Sequence, residues 1–89
     1  MALIAYIAPQ YVDGTALKTA LYRLKGVTTL DTFQTSTDFS RVIVATSINS
    51  TRSLAVITST TPSSNTLLTF TEAAMALDDL WVLVIGSSA

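Results

Sequence analysis

The sequence predicts an α+β fold: a mainly antiparallel sheet of four to five strands with one N-terminal helix packed on one face. Two observations predict it. Leu17, Ala20, Leu21 and Leu24 recur at the helical spacing i, i+3, i+4, i+7. From Phe39 onward, short apolar and β-branched runs alternate with turn-forming residues. With 89 residues and no linker or internal repeat, the chain makes a single domain over 1–89.

The elements follow in order. Ala2 to Ala8 is an apolar run ended by Pro9 and reads as a strand. Asp13 can cap the helix that follows, with Lys18, Tyr22, Arg23 and Lys25 on its polar surface and Gly26 as its stop. Val27 to Asp38 is Thr-rich, anchored only by Leu30 and Phe33, and fits a ragged strand or an ordered loop. Arg41–Thr46 and Leu54–Thr58 form a hairpin connected through Asn49-Ser50-Thr51. Thr61 to Asn65 is a turn, and Thr66–Thr71 is a strand. Glu72 to Leu77 has room for one or two helical turns. Asp78-Asp79 breaks it, and Leu80–Ile85 is a buried strand.

Composition narrows the chemistry. The chain has neither cysteine nor histidine, which removes disulfides, the usual zinc, copper, haem and iron–sulfur ligand sets, and catalysis by Cys–His or Ser–His. No cofactor and no enzymatic activity are expected. A net charge of −1 argues against nucleic-acid binding, which needs a basic face. The longest apolar runs fall far short of the ~20 residues that span a bilayer, and no basic side chain precedes Lys18 to start a secretion signal. Charged residues are only 12 % of the chain, and 25 serines and threonines take their place. Thr, Ser and Ala cost little to desolvate, so this surface suits being covered.

The candidate chemical motifs each have a plainer structural reading. Asp78-Asp79 fits turn or strand-start chemistry, because adjacent side chains point apart. Val12-Asp13-Gly14-Thr15 can offer amides to an anion, but lacks a glycine-rich fingerprint or a P-loop lysine, which favours a helix cap. Tyr22 and Lys25 read as solvated surface rather than an acid/base pair. Asn49-Ser50-Thr51 matches the glycosylation tripeptide, without a secretion signal to give it meaning.

The strands around Val42, Val56 and Val84 are apolar on both faces. One helix covers one face, so the other needs a cover, and exposing it would leave a patch larger than monomers tolerate. Ser53–Thr71 and Leu80–Ala89 carry no charge, so no charged residue guards these strand edges. Partner chains would cover both, with Trp81, Leu83, Ile85, Leu54 and Val56 as the candidate interface. The alternative is a sandwich closed on itself.

The segment Arg41–Ile85 resembles parts of small structural proteins of tailed-phage virions. The shared features are the Thr/Ser-rich hairpin Val42–Thr58, then Leu67-Leu68-Thr69-Phe70, then an Ala-rich link into Asp79-Leu80-Trp81-Val82-Leu83-Val84. The resemblance implies a capsid decoration or cement, neck or tail subunit, made in the host cytoplasm and located in the virion. Its partners would be copies of itself or a major capsid or tail protein, with no nucleic acid, membrane or small-molecule substrate. The alternative function is a small cytoplasmic oligomeric domain that binds a ligand between subunits.

Overall fold

The structure, a computed structural model, describes residues 2–11, 16–51, 54–56, 58–61, 64–71 and 75–88. Eight strands run through them: β1 (Ala2–Tyr11), β2 (Leu17–Val27), β3 (Thr32–Gln34), β4 (Phe39–Asn49), β5 (Leu54–Val56), β6 (Thr58–Thr61), β7 (Ser64–Phe70) and β8 (Asp78–Ser88). They form two antiparallel sheets, a five-stranded one in the order β1-β2-β8-β4-β5 and a three-stranded one in the order β3-β7-β6.

The α+β expectation is thereby overturned: the described residues contain no helix, and the fold is all-β. The segment expected as the N-terminal helix is β2, held between β1 and β8. Its apolar residues fit both periods, and Tyr22 separates them. A helix through Leu17, Ala20, Leu21 and Leu24 leaves Tyr22 in solvent. Period two instead sends Ala20, Tyr22 and Leu24 to one face, where all three are buried, and leaves Leu21 and Arg23 half-buried on the other. A lone helix of this length is marginal in water, whereas β2 gains a hydrogen-bond ladder on each side. Gly26, read as a helix stop, has φ of 71° where the β2–β8 register slips between Leu24 and Val27. It is a bulge residue whose left-handed backbone favours glycine. Asp13, the expected cap, lies outside the described residues.

Other elements differ in detail. Of Val27–Asp38, Val27 ends β2 and the rest forms a short loop, β3 and a turn, with Phe33 packed on the core but Leu30 exposed and in a left-handed conformation, φ 71°. Leu54–Thr58 is split between the sheets, β5 pairing Ser47–Asn49 and β6 pairing β7. The main partner of β4 is β8. Of the one or two helical turns expected over Glu72–Leu77, residues 72–74 lie outside the described residues, and Met75–Leu77 is not helical. Asp78 and Asp79 begin β8 rather than precede it.

The cover that the sequence reading gave to a helix is supplied by the small sheet. Tyr22, Leu24 and Val27 of β2, Phe39 and Val42 of β4, and Leu80, Val82 and Val84 of β8 pack with Leu68 and Phe70 of β7 and with Met75. Each strand sends alternate residues into this layer. Polar contacts close both ends of the core. Thr35 donates through its amide and its hydroxyl to the Thr66 carbonyl, at 3.0 and 2.7 Å. Asn49 donates from Nδ2 to Asp78 Oδ2 at 2.8 Å, both residues buried. Gly86 lies against β4 where Ile43 bulges, and a Cβ there would overlap the Arg41 carbonyl oxygen.

Candidate interaction surface

The pairing registers fix which side chains share the outward face of the large sheet, because directly opposed residues point the same way. Three rows cross it. Ala5, Arg23, Trp81 and Ile48 form one; Ile7, Leu21, Leu83 and Thr46 the next; Gln10, Thr19, Ile85 and Val44 the third. Ile7 is 53 % exposed, Ile48 57 %, Val44 47 % and Leu83 39 %. No described element lies over these rows. This face is therefore broadly apolar and open, whereas the opposite face of the same sheet is the core.

Of the candidate interface residues, Trp81, Leu83 and Ile85 come together here, on successive outward positions of the central strand β8. The backbones of Leu54 and Val56 register with Asn49 and Ser47, which are buried, and that of Ala55 with the outward Ile48. Residues that sequence reasoning missed are Ile7, Leu21, Val44 and Ile48. Leu21 was hidden by the helical period, and the others needed the register to be placed.

Charge is sparse and ordered on this face. The Arg23 guanidinium lies over the Trp81 ring, 4.9 Å from its centroid. This is cation–π range, and the Arg23 stem adds to the apolar cover. Arg23 Nε is buried and has no hydrogen-bond partner. Lys25 and Asp79 stand at one end of the face, and Arg41 beside Ser87 at the other. Asp79 Oδ1 accepts from the Gly26 amide at 3.4 Å, and the Asp79 carbonyl from the Ser50 amide and hydroxyl.

The edges have protection of a kind the absence of charge did not reveal. β1 is one edge of the large sheet. It slips register twice, between Leu3 and Ala5 and between Ile7 and Gln10, and Pro9 inside the second slip has no amide hydrogen to donate. Bulges and proline blunt an edge as charge does. The outward face has no such device.

The remaining clusters are structural. Tyr22 donates to Asp38 Oδ2 at 2.6 Å and Tyr6 to Asp38 Oδ1 at 3.2 Å, with the two rings stacked at 5.4 Å. Burial first, then the hydrogen bond to Asp38, pushes the Tyr22 hydroxyl far above its ordinary pKa. This clamp ties the turn before β4 to β1 and β2. Tyr22 points into the core and Lys25 outward, so they form no acid/base pair. Asp78 and Asp79 point apart, one buried on Asn49 and the other toward Gly26. Asn49 is fully buried, which closes the Asn49-Ser50-Thr51 tripeptide to glycosylation. The anion-site candidate Val12–Thr15 lies outside the described residues. Among the described residues, no group of three potential ligands stands together for a metal ion, and no helix is long and apolar enough to cross a membrane.

Comparisons with protein-family models, with curated proteins and with solved structures find no match, which leaves the outward sheet face itself as the basis for a functional reading.

Proposed function

We propose that this chain is a non-enzymatic structural subunit that packs the outward face of its five-stranded sheet against another protein chain, within a particle of virion type. One observation carries the reading. The outward rows hold Ile7, Leu21, Val44, Ile48, Trp81, Leu83 and Ile85 on a face that the small sheet does not cover. A contiguous apolar surface of this kind marks a protein contact on a soluble domain. The aromatic on its central strand, flanked by Arg23, is the residue pairing that interfaces favour. Low charge and the Thr/Ser-rich surface favour burial between subunits, and the resemblance of Arg41–Ile85 to phage structural proteins points to a capsid, neck or tail position.

The test is incorporation. Particles purified from producing cells are assayed by quantitative mass spectrometry for the wild-type chain and for Ile48→Lys/Leu83→Lys. Both substitutions fall on exposed positions, so the domain keeps its fold. Wild type at a fixed copy number, with the variant reduced more than roughly tenfold, supports the reading. Absence of the wild type from particles, or undiminished incorporation of the folded variant, contradicts it.

A further inference from the structure

We infer that the occupant of the outward face is a second copy of this chain, stacked across a two-fold axis that lies in the interface plane and perpendicular to β8. The inference rests on the reading of that face as an interface and adds the partner and its orientation.

Area permits it. Strands of 10 or 11 residues at ~3.3 Å per residue run ~36 Å, and four of them at ~4.8 Å spacing span ~19 Å. The molecule measures 38 × 26 × 19 Å, consistent with that face filling its two long dimensions. The product is roughly 700 Å² of flat area, inside the roughly 600–1,000 Å² per partner of a standard-size interface. A partner must be apolar across the same breadth, and this face meets that requirement against itself. The edge strand β1 is the competing self-contact. Its two register slips and Pro9 break the ladder that a second copy would need.

Charge then selects the axis. Asp79 stands two residues before Trp81 at one end of β8, and Arg41 sits beside Ser87 at the other end. The row of Leu83 lies midway between them. A two-fold axis along β8 would set Asp79 on Asp79 of the second copy, a like-charge contact in a partly dry interface. An axis across β8 through the Leu83 row sets Asp79 against Ser87 of the second copy, beside its Arg41. It also lays Trp81 on Ile85 of the second copy and Ile48 on its Val44. One Asp79–Arg41 pair then forms at each rim, each copy supplying one residue to each pair, while Arg23 keeps its place over the Trp81 ring, facing Thr19 of the second copy.

The chain has no cysteine, so a Ser87→Cys variant takes a single nitroxide label per copy. Sedimentation at ~100 µM should give twice the 9.5 kDa chain mass. Pulsed dipolar spectroscopy should then give a label separation of roughly 28 Å, from four residues on each side of the axis and sheets ~10 Å apart. Leu83→Arg brings two guanidinium groups together at the axis and should weaken association on the order of 100-fold. Thr46→Arg, exposed in the same row, should do likewise and serves if Leu83→Arg does not fold. A monomer at that concentration overturns the second copy while the wider interface reading stands. A dimer with labels roughly 10 Å apart overturns the axis. A dimer indifferent to both arginine substitutions overturns this inference and the interface reading together.

Discussion

Tyr22→Ala tests the strand assignment of β2 at the residue where helix and strand disagree most. Tyr22 is 2 % exposed. It is stacked on Tyr6 and meets Phe33 edge-on at a centroid distance of 5.0 Å. Truncating a buried aromatic costs about 3–5 kcal/mol through lost transfer energy and the cavity left behind. The two ring contacts add only ~1 kcal/mol in total, since Tyr6 is exposed and Phe33 is partly buried against the core. Loss of the 2.6 Å hydrogen bond leaves one Asp38 oxygen to solvent, a smaller cost because Asp38 is half-exposed. A domain of this size has roughly 4–13 kcal/mol of net stability, so the variant stands close to unfolding. Leu21→Ala is the control. Its side chain is half-buried on the outward face, and its loss costs the isolated domain about 1 kcal/mol. Urea unfolding followed by far-UV circular dichroism, at protein concentrations low enough to exclude association, measures both. Tyr22→Ala should lose several times more stability than Leu21→Ala. The opposite order would refute the placement of β2, because a helix in this segment buries Leu21 and solvates Tyr22.

Two further outcomes follow from the packing and the clamp. Gly86→Ala should destabilise the domain by about 1–3 kcal/mol, read as a lower urea midpoint, because its methyl group meets the Arg41 backbone rather than a side chain that can turn away. Tyr22 also makes stability fall with alkali. Its folded pKa is raised above the unfolded value near 10, so the unfolded chain loses the proton first. The contribution is complete below about pH 10 and lost as pH rises above it, at up to ~1.4 kcal/mol per pH unit. Tyr22→Phe should flatten that alkaline limb in thermal melts, and an unchanged slope would show that Tyr22 does not carry it.

Most strand positions were legible in the sequence because β-branched runs and turn residues mark them without knowledge of partners. β8 and the first half of β4 are examples. Residues 17–27 were misread because four apolar residues satisfy two periods, and burial of Tyr22 depends on Phe33 and on the small sheet, which come later in the chain. The split of Leu54–Thr58 between sheets was illegible for the same reason: a strand that changes sheet keeps its composition. Trp81, Leu83 and Ile85 were legible as one face of a strand apolar on both sides. Which of its two faces is core depends on Gly86 against Arg41 and on Leu68 and Phe70 of β7. Leu54 and Val56 were grouped with Trp81 by composition, and the β4–β5 register pairs their backbones with the buried Asn49 and Ser47.

The central claim is that the outward face is covered when the chain does its work. Trp81 is the sole tryptophan and stands on the central strand of that face, so collisional quenching by acrylamide reads the cover directly. In the assembled protein, the quenching constant of Trp81 should fall several-fold relative to the dissociated Leu83→Arg variant, with a blue shift of its emission. Equal quenching in the two states would mean that the face stays open, and the account of this surface as an interface would be wrong.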